Sequence, residues 1–232
     1  MAYETRFDGR KFDEIRPIEA KAGVIKRAVG SGWFKIGNTE AYAAVYGPRE
    51  MFPKFMQNPE KGVLRCHYNM MPFSSAGDRV RPGPSRRSKE ISMVTERALR
   101  PVLDLSEFPN AVVDVFIELP QTDAGTRCAG ICAASIALAD AGLPMKDMVC
   151  AISAGKVEDK MLVDLNYEED SHEHGVDIPV AVLHNSKQIA LLQMDGELTP
   201  EDLRQALELA KNASERIYEV QKEALKKKFE LE

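Results

Sequence analysis

Hydrophobic and polar positions change period several times along the chain, and each change predicts an element. The first twenty-odd residues show little periodicity and read as an arm. From residue 25 to 46, the β-forming runs GWFKIG and TEAYAAVYG are punctuated by Gly, Asn and Pro, which predicts antiparallel strands. GVLRCHYNMMPF (62–73) predicts a further strand ending at Pro72. Within 87–100, Ile91, Val94, Ala98 and Leu99 recur at the spacing of one helical face. AVVDVFIEL (111–119) is a nearly continuous apolar strand interrupted by Asp114 and Glu118. TRCAGICAASIALADAG (126–142) predicts a helix of small residues, able to approach a sheet closely and closed by Gly142. Four more strands are expected at 148–157, 160–165, 177–184 and 188–194. A long helix closes the chain, with Thr199 as N-cap, Pro200 in the first helical position and acids in the first turn.

Strands, helix, strand, helix, strands, helix is an α+β order, with mixed sheets packed against helices. The chain divides into an arm (1–17), a first lobe (18–149) and a second lobe carrying the long terminal helix (150–232), with a turn around 141–148 in place of a linker. A composition of 44% hydrophobic and 29% charged residues fits an ordinary soluble protein. The polar, mixed-charge start argues against a signal peptide, and no apolar run approaches membrane-spanning length. Cys66, Cys128, Cys132 and Cys150 lack disulfide-framework spacing and read as core residues in a reducing compartment, so a cytoplasmic location is expected. A net charge of −5 argues against a protein that coats nucleic acid through a basic surface, yet leaves room for a local basic groove. Basic residues do cluster, at 78–89 and in the closing LKKKFE, where they complement the helix dipole.

Three stretches carry candidate chemistry. In QTDAGTRCAG (121–130) a strand gives way to a helix near Gly125 and Thr126, and a helix start with free N–H groups and an adjacent Arg127 suits phosphate. An ordinary turn capped by Asp123 or Thr126 is the competing reading. RPGPSRRSKE (81–90) is a stiff loop delivering Arg86 and Arg87, suited either to phosphate oxygens or to plain solvation. Arg65, on a strand just before Tyr68, suits a groove that tracks a nucleic-acid backbone, or a simple surface position. Five carboxylates and two histidines crowd YEEDSHEHGVDIPVAV (167–182). Asp177 enters an otherwise apolar strand near Asp170, so its proton affinity is raised or it holds a divalent cation. His172 and His174 raise a zinc alternative without a well-spaced third ligand. No GxSxG, HExxH, P-loop or GxGxxG occurs, so an enzyme here must activate a small nucleophile, either water or phosphate.

These segments also carry a resemblance. DGRKFDEIRPIEAKAGVIKRAVGSGWFKIGNTEAYAAVYGP, CHYNMMPFSS, RRSKEISMV, DAGTR and VDLNYEEDSHEHGVDIPVAV resemble, in order and spacing, the signatures of the RNase PH family, from Phe7 to the last helix. Within the family the arginine-rich loop and long final helix look most like the catalytic RNase PH-type subunit of the archaeal exosome. The resemblance implies the RNase PH fold, similar to the second domain of ribosomal protein S5. It also implies phosphorolysis, in which inorganic phosphate attacks the 3′-terminal phosphodiester of RNA and releases a nucleoside diphosphate, a reaction that also runs in reverse to add 3′ tails. Carried over by motif, Gly125, Thr126, Arg127 and the Cys128 backbone hold phosphate, and Arg65, Arg86 and Arg87 bind RNA. Asp177 matches the general acid and Asp170 its companion, both also as ligands for Mg²⁺ or Mn²⁺. Val180 stands where some relatives carry a lysine or other polar residue. The implied partners are single-stranded RNA 3′ ends, a paralogous inactive subunit in a six-membered ring and RNA-binding cap subunits. The alternatives are a homohexameric tRNA-trimming enzyme, a binding-only ring subunit, and a metal-dependent hydrolase built on His172, His174 and Asp177.

Overall fold

The computed structural model describes residues 3–77 and 79–230. Met1 and Ala2 of the arm, Asp78 at the head of the basic cluster, and Leu231 and Glu232 of the second lobe lie outside the described residues. Five strands build the first sheet: β1 (Ile18–Ala22), β2 (Gly30–Ile36), β3 (Thr39–Glu50), β4 (Val63–Met70) and β5 (Ala111–Gln121). Their order is β1-β2-β3-β5-β4, antiparallel throughout except for the parallel pair β4–β5. Parallel neighbours need a crossover, and α1 (Arg86–Leu99) supplies it, burying Ile91, Val94, Thr95, Ala98 and Leu99. Ser85 starts α1 through a capping box with Ser88.

The second sheet, β6 (Val149–Val157), β7 (Lys160–Val163), β8 (Gly175–Leu183) and β9 (Ile189–Leu192), is antiparallel in the order β7-β6-β8-β9. A one-turn helix, α3 (Tyr167–Asp170), joins β7 to β8. Between the sheets runs α2 (Thr126–Asp140), touching β2 and β3 on one side and β6 on the other. It is buried nearly all round, as a helix apolar on every face must be. Small residues make the sandwich possible. A methyl group at Gly32 would lie 2.4 Å from the Ala133 carbonyl oxygen, so β2 and the helix backbone meet with no side chain between them. Gly142, at φ +71°, ends the helix as expected.

The last helix, α4 (Pro200–Glu230), runs 31 residues, about 46 Å at 1.5 Å per residue. It lies against β1 and β6, and buried Gln221 donates to the carbonyls of Cys132 (3.3 Å) and Val149 (3.2 Å), fastening both lobes to one helix. The Thr199 hydroxyl accepts from Asp202 N at 3.2 Å, the expected cap. All four cysteines are free and buried. No described helix is long and apolar enough to cross a membrane.

The arm differs from expectation. Residues 18–22 form edge strand β1, whose half-exposed alternation IEAKA is too short to stand out. Residues 25–29 form turns rather than strand. The start of the chain is also tied down. Arg6 reaches buried Glu169 through Nε and Nη2 at 2.8 and 2.7 Å, Tyr3 donates to the same carboxylate at 2.8 Å, and Arg16 grips buried Asp164 through Nε and Nη2 at 2.9 and 2.7 Å. Asp164, at φ +57°, ends β7 one residue earlier than its apolar pattern implies.

Candidate active site

Because β4 and β5 run parallel, their carboxyl ends at Met70 and Gln121 deliver two turns to the same edge of the first sheet. Thr122 N donates to Ser74 O at 2.9 Å and joins these turns. The second turn leads into α2, whose first residues face the β8 end of the second sheet across a cavity of about 1000 Å³. Gly125, Thr126, Arg127, Cys128, Arg87, Asp170 and Asp177 all line it.

One wall is an open helix start. Gly125 occupies the N-cap at φ +62°, a conformation that suits glycine, and no side chain caps the helix. The Asp123 carboxylate, a candidate cap on sequence, instead accepts from Tyr167 N at 3.0 Å and the Asn38 amide at 3.2 Å. The N–H groups of the first turn are thus left for an anion, at the positive end of the helix. Ala124 is left-handed as well, at φ +51°, a strained position for a residue with a Cβ. Tertiary bonds hold the turn in that shape. Thr39 Oγ1 donates to Ala124 O at 2.7 Å and accepts from Asp123 N at 2.8 Å, and Arg16 Nη1 donates to Asp123 O at 2.5 Å. Through its grip on Asp164, Arg16 also braces this turn against the second lobe.

The opposite wall carries the acids. Asp177, half-buried on β8, accepts a hydrogen bond from the Ser153 hydroxyl of β6. Burial pushes its carboxyl up to about 6; the Ser153 bond opposes this, the Asp170 and Asp195 charges add to it, and Arg127 opposes. Asp170 opens into the cavity but is enclosed by protein, and that enclosure raises its proton affinity against the pull of Arg87 and Arg127. Asp195 is held beside Asp177 by two backbone hydrogen bonds, at 3.0 and 3.3 Å. Two residues earlier, Gln193 spans the lobes. It accepts from Arg127 Nη1 at 2.5 Å, donates to Glu90 Oε1 of α1 at 2.9 Å, and its backbone N–H donates to Pro179 O on β8 at 3.1 Å. The guanidinium expected to hold phosphate is thereby fixed toward the strand that carries the acid.

The structure thus brings together Gly125, Thr126, Arg127, Cys128, Arg87, Asp170 and Asp177, but not the remaining arginines. Arg86 is exposed at the start of α1 and does not line the cavity, since adjacent helical residues point about 100° apart. Arg65 lies five residues back along β4 from Met70, roughly 16 Å at strand rise. The pairing of Arg65 with Tyr68 in one groove is incorrect, because strand alternation sends Tyr68 into the core. The aromatic group on the face of Arg65 is His67, stacked on Phe116 with centroids 4.8 Å apart. Arg65 itself shares buried Asp114 with Arg49, each at 2.5 Å. Nor do His172 and His174 line the cavity, and among the described residues no three His, Cys, Asp or Glu side chains are grouped to hold a metal. That removes the preformed ligand set the metal-hydrolase alternative requires.

An α+β chain whose open helix start and arginine confront a proton-retaining carboxylate is built for chemistry on phosphate esters. Family comparison makes the class specific. The 3′ exoribonuclease family matches residues 14–144 with its domain 1 and residues 147–213 with its domain 2. The chain belongs to this RNase PH family, and its fold is the RNase PH fold. It is 53% identical over 224 residues to the exosome complex component Rrp41 of Pyrococcus furiosus, covering 97% of this chain and 89% of that one. The Rrp41 of Methanopyrus kandleri is 50% identical over 224 residues, covering 97% and 93%. Among solved structures, rice Rrp46 superposes with a TM-score of 0.85 at 27% identity, covering 95% of this chain and all of that one. The Archaeoglobus fulgidus exosome with RNA bound to the active site gives a TM-score of 0.79 at 27% identity, covering 93% and 92%.

Proposed function

We propose that this chain is the catalytic RNase PH-type subunit of an archaeal exosome, a cytoplasmic 3′-to-5′ exoribonuclease that uses inorganic phosphate. The observation that carries the reading is the uncapped start of α2 facing Asp177 across one cavity, with Arg127 between them. Phosphate bound by the N–H groups of 126–128 and by Arg127 attacks the phosphorus of the last phosphodiester. Arg87 offsets part of the repulsion between the two anions. The bond to the penultimate 3′-oxygen breaks as Asp177 gives that oxygen its proton, and the terminal nucleotide leaves as a diphosphate. A carboxyl titrating near 6 retains enough proton for this task and is basic enough to recover it in the reverse reaction. Ser153 sets the orientation of the acid, and Gln193 that of Arg127.

The donor set fits Mg²⁺ or Mn²⁺. Such an ion keeps several waters and needs only one or two carboxylates plus substrate phosphates, so Asp170 and Asp177 would hold it, and it would supply charge neutralisation at the phosphates. The chain is acidic overall, −5, yet its cavity presents Arg87 and Arg127 to RNA. A paralogous inactive subunit in a six-membered ring, with RNA-binding caps, would complete the path for the strand. Mass measurement of the chain alone and mixed with its paralogue separates this from a homohexameric tRNA-trimming enzyme. To test the activity, the chain with any co-purifying subunit is incubated with short single-stranded RNA, with and without phosphate. Nucleoside diphosphates are expected only with phosphate, and Asp177→Asn should lose degradation and RNA extension equally. Monophosphates released without phosphate would overturn the proposal.

A further inference from the structure

Two aromatic rings in the cavity have no role in the chemistry above. Phe73, in the turn after β4, is 72% exposed, and Tyr167, the first residue of α3, is 55% exposed. Both line the cavity, Phe73 from the first lobe and Tyr167 from the second. Among the described residues neither packs on another aromatic ring. Isolated exposed aromatics on an open surface need no explanation, but these two border one polar cavity.

Tyr167 is held in place. Its backbone N–H donates to Asp123 Oδ1 at 3.0 Å, and its carbonyl accepts from Ser171 N and Oγ at 3.0 and 2.6 Å. Asn166 caps the turn with its side chain. A methyl group built at Gly77 would lie 3.9 Å from the Tyr167 hydroxyl, so the ring reaches from α3 toward the turn that carries Phe73. Tyr167 and Asp170 stand three apart on one helical turn and share a face, with Cβ atoms about 5–6 Å apart. The ring therefore sits beside the carboxylates at the reacting end of the cavity.

We infer that Tyr167, with Phe73 opposite, is a nucleobase-stacking subsite for one of the two nucleotides flanking the scissile bond. The inference rests on the RNA reading of this cavity. Every base has a π-face, so stacking grips successive nucleotides whatever their identity, as a processive exonuclease needs, and no base-reading hydrogen bond is required. Tyr167 and Phe73 are binding residues in this scheme, and neither handles the proton.

The test pairs deletions on both sides of the contact. Equilibrium binding is measured without phosphate, using the chain with any co-purifying subunit. The probes are a short RNA, the same RNA lacking its terminal base, its penultimate base or both, and a control lacking a base farther upstream. Wild type should bind the RNA lacking both flanking bases about tenfold more weakly than intact RNA. Tyr167→Ala should bind intact RNA about tenfold more weakly than wild type and discriminate little against the loss of those bases. Tyr167→Phe, which keeps the ring, should restore discrimination, and Phe73→Ala should reduce it. If Tyr167→Ala discriminates as strongly as wild type, or if only the upstream position matters, the inference is wrong. Product identification with wild type is scored separately, so failure of the phosphorolytic reading is seen as absent nucleoside diphosphates while binding still reports on the rings.

Discussion

An acid kept protonated in the fold should leave a thermodynamic trace, and Asp177→Asn exposes it. The folded carboxyl titrates near 6, against 3.8 for an ordinary aspartate. The folded state therefore holds more protons than the unfolded chain between those values, and stability falls as pH rises through that window. Below pH 3.8 both states are protonated and the wild-type contribution is fully present; above 6 it is lost. At about 1.4 kcal/mol per pH unit, the difference of about two units corresponds to roughly 3 kcal/mol at pH 7. Asparagine keeps an acceptor for Ser153 and carries no charge, so the variant should be more stable than wild type at pH 7 by about 2–3 kcal/mol. For a chain of this size that is several degrees in melting temperature. Thermal unfolding in EDTA from pH 4 to 8 should show the two proteins nearly equal at pH 4 and diverging up to pH 7. Equal stability at pH 7, or the same gap at pH 4, would refute the electrostatic reasoning. A more stable variant without activity would mark Asp177 as a residue retained for function at the expense of stability.

Gln193→Leu should raise the apparent KM for phosphate about tenfold while changing RNA affinity much less, since it releases only the guanidinium that serves the attacking anion; equal losses for both would show that it merely supports the lobe interface. Arg65→Gln should lower the melting temperature, because Asp114 is fully buried and would keep only Arg49 as a close partner. If Arg65 also contacts RNA, a log–log plot of affinity against salt should lose about one unit of slope on a long single strand, and an unchanged slope would leave it a structural residue.

Segments with one dominant local signal were legible in the sequence. The small-residue helix α2, the capped helix α4 and the face of Ile91, Val94, Ala98 and Leu99 on α1 all formed near their expected bounds. Strand β1 and the single turn α3 were not legible, since one is a half-exposed edge and the other four residues long. At the site, the anion-binding turn and the two acids came together because each sits in a local pattern, a strand-to-helix turn or a charge inside an apolar run. Ser153, Gln193, Asp195 and Arg16 act through partners 18 to 148 positions away, as in Asp177–Asp195, Ser153–Asp177, Arg127–Gln193 and Arg16–Asp164, and no local spacing records such pairings. The Arg65–Tyr68 error has a similar origin: three residues apart on a strand means opposite faces.

The central claim, that phosphate is the nucleophile, is tested most directly by following the phosphate atom itself. ³²P-labelled inorganic phosphate is supplied to the chain with any co-purifying subunit and unlabelled single-stranded RNA, and the released nucleotides are separated. The account predicts label in the β-phosphate of nucleoside diphosphates, formed at the rate at which the RNA shortens. RNA shortening with unlabelled monophosphates, the label remaining in inorganic phosphate, would contradict it.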